Sequence, residues 1–138
     1  MRKIVIAGSR KTYKEAQIIK EKLEQFGYEV IDYPKNIDHS KELEYKVAYE
    51  KFYEKLKQSD DFLLLNIDKN GIKGYIGYEA FAELSFMIAN SIVDKKESKI
   101  FIYQIPSEKL DCYDEITLFL KLGYIKIFDE QLLNIKDY

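Results

Sequence analysis

A chain of 138 residues and 16.4 kDa has room for one domain with an ordinary core and little for a second. With 46% hydrophobic and 33% charged residues it reads as soluble and globular, and 22 basic against 24 acidic side chains (net −2) disfavour a nucleic-acid polymer as partner. No apolar run approaches the roughly 20 residues of a membrane helix, and one cysteine (Cys112) and one histidine (His39) exclude a disulfide framework and a Cys- or His-cluster metal site.

Lys3 to Ala7 is a short apolar run ending in Gly8-Ser9, the pattern of a buried strand. From Thr12 to Phe26 the apolar Ala16, Ile19, Leu23 and Phe26 share one helical stripe, and Gly27 stops the helix. Tyr28 to Asp32 reads as a second strand ended by Pro34. Ser40 to Gln58 reads as a second helix, with Leu43, Val47, Phe52 and Leu56 on a rough stripe and Tyr45, Tyr49 and Tyr53 beside it. Phe62 to Ile67 is the most apolar segment, hence the expected central strand. A glycine-bearing loop to Gly77 leads into a third helix over Tyr78 to Ile92. Lys99 to Tyr103 is a fourth strand, Tyr113 to Lys121 a helix ended by Gly123, and Tyr124 to Ile127 a fifth strand.

Strands alternating with helices predict a single α/β domain over residues 1–138. Its sheet is five-stranded and parallel, in the flavodoxin-like order 2-1-3-4-5, with helices on both faces. In such sheets ligands sit beyond the carboxyl ends of the strands where the order reverses. That rule selects Gly8 to Thr12, Asn66 to Gly77 and Tyr103 to Pro106.

Within the third helix, Glu83 is the one ionisable residue between Ala80 and Ala89. The helix is apolar nearly all round, which predicts cover on two sides and self-association through residues 78–92. A lone carboxyl one turn into such a helix suits a nucleophile or general base in a dry pocket, and equally a helix cap or a lysine partner. Gly8, Ser9 and Arg10 form either a phosphate-holding turn or a plain structural one. Neither GxGxxG nor GxxxxGK[ST] is present, so a Rossmann dinucleotide site and a P-loop are disfavoured. Asp68 either accepts hydrogen bonds from a ligand's hydroxyls, shares a proton with a base nitrogen, or satisfies its own loop. Tyr13, Tyr75 and Tyr78 are candidates to stack on a planar ligand. Asp60 and Asp61 read as a helix-to-strand turn, His39 as a loop residue before a Ser40 cap, and Cys112 as unreactive. No metal site and no organic cofactor is expected, and a flavin-binding role is disfavoured by the lysine-bearing loop after the third strand.

The opening KIVIAGSRK, the stretch SDDFLLLNIDKNGIKGYIG and the AEL glutamate after it resemble the nucleoside 2-deoxyribosyltransferase-like superfamily. The likeness spans about residues 1–127, its specific part being Ser59 to Ala89. It implies a five-stranded parallel α/β fold. It makes Glu83 the counterpart of the glutamate that attacks the anomeric carbon, and Asp68 that of the aspartate near the leaving base. Gly8 and Ser9 would lie by the sugar or 5′ group, and Gly77 would enter the nucleophile helix. One branch usually has glycine where this chain has Tyr78 and Ser85. The terminal Tyr138 matches the tyrosine-ended tail of some members.

The expected function is therefore a cytosolic, homo-oligomeric N-glycosidase or 2-deoxyribosyltransferase-like enzyme acting on a nucleoside or nucleoside 5′-monophosphate. Glu83 and Asp68 would be catalytic, and Gly8, Ser9, Arg10, Gly77 and Tyr78 would bind substrate. The alternative is a non-catalytic nucleotide-binding or sensing module on the same fold.

Overall fold

The computed structural model describes residues 1–35 and 41–129. His39, Ser40 and Tyr138 lie outside the described residues. In chain order the elements are β1 (Lys3–Ala7), α1 (Tyr13–Gln25), β2 (Glu29–Asp32), α2 (Glu42–Gln58), β3 (Asp61–Leu64), α3 (Tyr78–Val93), β4 (Ile100–Ile102), α4 (Tyr113–Leu122) and β5 (Lys126–Ile127). A 3-10 turn, Arg10–Thr12, joins β1 to α1. All strand pairs are parallel, and the order is β2-β1-β3-β4-β5. The expected flavodoxin-like architecture is the one observed.

Period-2 alternation sorts the strand side chains into two cores. Ile4, Ile6, Leu63 and Leu65 face Ala16, Ile19 and Leu23 of α1. Val5, Ala7, Phe62 and Leu64 face Leu56 of α2, Leu84, Met87 and Ile88 of α3, and Ile116 of α4. Both faces of β1 and β3 are thus buried, which is why they read as unbroken apolar runs. Each buried Val, Leu, Ile, Phe or Met among them contributes roughly 2 kcal/mol.

Two sequence expectations change. Asp61 is not a turn residue: it opens β3 fully buried. Its carboxylate accepts from Arg2 Nε and Nη2 at 2.9 and 2.6 Å, from the Tyr28 hydroxyl at 2.7 Å and from the Lys99 amide at 2.8 Å. One carboxylate so joins the amino-terminal approaches of four strands. The stripe on α2 is also shorter than read, since Leu43 and Val47 are exposed and Leu56 alone is fully buried.

Candidate active site

A crevice of about 600 Å³ opens at the carboxyl ends of β1 and β3, the neighbouring strands where the sheet order reverses. Gly8, Ser9, Asp68, Gly77, Tyr78 and Glu83 all line it. Arg10 does not. It lines an adjoining groove toward β2 and α2, which shares Gly8, Glu79 and Glu83 with the crevice. The cation bordering the crevice beside Ser9 is Lys11. Tyr13 borders a separate groove with Tyr33 and Pro34, so it does not face this site.

Each wall has a local cause. Ser9 ends β1 by capping the 3-10 turn, its carbonyl accepting from the Thr12 amide at 2.9 Å and the Thr12 hydroxyl at 2.7 Å. That turn brings Thr12 so close to Gly8 that a Cβ at Gly8 would meet its Oγ1 at 3.0 Å and the Leu65 carbonyl at 3.3 Å. Glycine is needed there for packing, whatever the ligand. Gly77, which caps α3, has no such neighbour nearer than the Tyr75 ring at 3.7 Å.

Glu83 sits one turn into α3, where the helix leaves the sheet-facing stripe of Leu84, Met87 and Ile88. Its carboxyl is largely buried, and no hydrogen bond from a described residue reaches it. Burial, aided by the charges of Glu79 and Asp32, pushes its pKa up to about 8. This group is therefore mostly neutral at pH 7. Glu79, one turn earlier, is exposed and accepts from the Tyr45 hydroxyl. That bond pushes the Tyr45 phenol up to about 12.

Asp68 is in the opposite state. Its Oδ1 accepts from the Gly74 amide at 2.9 Å and from Gln104 Nε2 at 2.8 Å, and these bonds, with Lys73 nearby, hold its pKa below the usual range. One crevice thus carries a neutral carboxyl and an ionised one, the separation of states that acid–base sites use.

No family model matches this chain. No curated protein matches it either.

Sequence reading selected the stretches that hold Asn66 and Gln104 but gave neither residue a role. Asn66 is buried, and its amide nitrogen donates to the carbonyls of Gly74 (3.2 Å) and Gln104 (2.9 Å). Its oxygen accepts from the amides of Tyr103 (2.8 Å) and Gln104 (3.2 Å). The signal was present: an asparagine inside the apolar run FLLLNI must find partners when buried. None of Tyr103 to Pro106, expected at the crevice, lines it; the stretch reaches the crevice only through the hydrogen bond from Gln104 to Asp68. Phe86, on the third helix expected to self-associate, packs edge-on against Tyr53 of α2, with ring centroids 5.3 Å apart. Ala82, Ala89, Ile92 and Val93 remain exposed on α3.

Proposed function

We propose that the protein cleaves the N-glycosidic bond of a nucleoside or nucleoside 5′-monophosphate, with Glu83 as nucleophile. The observation that carries this reading is Glu83 itself, a largely buried carboxyl to which no described residue donates, placed on the switch-point crevice beside Gly8, Ser9 and Gly77. A sugar ring against Glu83 would bring C1′ to a poorly solvated carboxylate, which stabilises the oxocarbenium-like transition state. The Glu83 oxygen bonds to C1′ as the C1′–N bond breaks, its electron pair leaving with the base, which takes up a proton. Water then attacks C1′, releases Glu83 and leaves its second proton to solvent. A second base in place of water gives transfer. The likeness of Ser59 to Ala89 to the deoxyribosyltransferase-like pattern supports the same roles. Lys11 beside Ser9 is suited to a 5′-phosphate, with Arg10 in reach of the adjoining groove.

The exposed apolar residues of α3, Tyr78, Ala82, Ala89, Ile92 and Val93, support self-association through this helix. The binding-module reading draws on the neutral state of Glu83: an uncharged carboxyl can hold a ligand by hydrogen bonds and never attack it.

The test is chromatographic detection of free base from pooled nucleosides and nucleoside 5′-monophosphates, at pH 8.5, beside Glu83→Ala. Release by the wild type that falls at least about 10³-fold in the variant is expected. Ligand binding without release in both proteins favours the sensing module.

A further inference from the structure

The Asp68 carboxylate is held from one side only. Both protein donors, the Gly74 amide and Gln104 Nε2, converge on Oδ1, and no described residue donates to Oδ2. Gln104 is itself immobilised. Its amide and carbonyl bond the Asn66 side chain, and its Nε2 also donates to the Asn66 carbonyl at 2.9 Å. Both Nε2 hydrogens are thereby spent. Gly74, the other donor, is fixed in the left-handed region at φ +63° against Pro106.

We propose that Gln104 is a positioning residue that keeps Asp68 a permanent hydrogen-bond acceptor, its Oδ2 reserved for a hydroxyl or amino donor of the ligand. This rests on the N-glycosidic reading and deepens it, because a carboxylate with two fixed donors is a poor proton source. Asp68 orients the ligand and does not protonate the leaving base. The base draws its proton from solvent at the crevice mouth, where Tyr78 is 86% exposed. The ligand class follows: a nucleoside bearing a free hydroxyl or exocyclic amine beside Asp68. The other ionisable groups around this site are Lys69 and Lys73 on its own loop, Lys11 and Glu15 before and on α1, and Glu79 and Glu83 on α3.

The experiment compares ordinary nucleosides with an N7-methylated purine nucleoside, whose base leaves without protonation, in wild type, Asp68→Asn and Gln104→Ala. An orienting Asp68 predicts an equal loss on both substrates, about 10- to 100-fold in kcat/KM and carried mainly by KM, with Gln104→Ala following at about tenfold. Recovery of wild-type turnover by Asp68→Asn on the methylated substrate would overturn the assignment, since it would mean that Asp68 donates the proton. Carbon-13 NMR titration of the Asp68 carboxyl reads the Gln104 contact without any ligand. Its midpoint rises in Gln104→Ala if the contact holds the ionised form, and an unchanged midpoint in a folded variant contradicts the positioning role. Should the wild type release no base at all, the N-glycosidic reading fails while the titration still decides what Gln104 does.

Discussion

Glu83 ties function to stability through one proton. Its pKa of about 8 in the folded chain lies above its ordinary 4.5, so between those values the folded state keeps a proton that the unfolded state has lost. Stability therefore falls as pH rises from about 4.5 to about 8. Denaturant unfolding at pH 5.5 and 8.5 checks this: wild type is less stable at the higher pH, and Glu83→Gln removes most of that slope. An equal slope in the variant would place the proton elsewhere. If Glu83 is the nucleophile proposed above, base release should rise with pH for the same reason, with a midpoint near 8 in the ligand-free protein. Gly74 is a second residue with a sharp expectation. An added Cβ would lie 2.8 Å from Pro106 Cα at a backbone angle that L side chains rarely adopt. Gly74→Ala should cost roughly 2 kcal/mol in thermal or denaturant unfolding and weaken the bond to Asp68. Of these residues, Glu83 and Asp68 were legible as isolated carboxylates at predictable ends of elements. Gln104 was not, because its partners Asn66 and Asp68 lie 38 and 36 residues earlier and meet it only once β3 and β4 pair.

At the scale of elements, the strands were legible wherever both faces are buried. The run from Lys3 to Ala7 maps directly onto β1. The third strand was read three residues too far, because Leu65 continues the pairing to Ala7 before the Asn66 side chain takes over as acceptor from β4's successor residues. The amino-terminal side was less legible. Asp60-Asp61 has the composition of a turn, and only the folded sheet brings Arg2, Tyr28 and Lys99 to Asp61. Removing that guanidinium leaves a buried carboxylate with two weaker donors. Arg2→Ala should cost about 3 kcal/mol in denaturant unfolding, whereas Lys46→Ala, at an exposed i,i+4 pair with Glu50 on α2, should change little. Comparable effects of the two would mean that the Asp61 cluster is not what joins the strand starts.

For the whole molecule, the parallel order places β1 and β3 side by side and so makes the crevice between their ends, a consequence readable from the alternation of strands and helices alone. What that alternation could not supply is the outer surface. The apolar circumference of α3 predicted a second cover, and part of it is α2 of the same chain through Tyr53 and Phe86. The remainder, from Ala82 to Val93, is the surface proposed for self-association. Sedimentation should find a dimer or larger species, with Ala89→Glu shifting it to monomer while leaving the fold unchanged by circular dichroism. A wild type that is monomeric at high micromolar concentration would contradict that surface. No helix among the described residues is long and apolar enough to cross a membrane. The central claim, that Glu83 is a nucleophile, is tested most directly by intact-protein and peptide mass spectrometry during turnover of a slow nucleoside substrate at pH 8.5. A mass gain of one pentosyl group on the peptide carrying Glu83, absent in Glu83→Gln, is the predicted result. Release of base with no adduct at any time, under conditions that trap such esters, would contradict it.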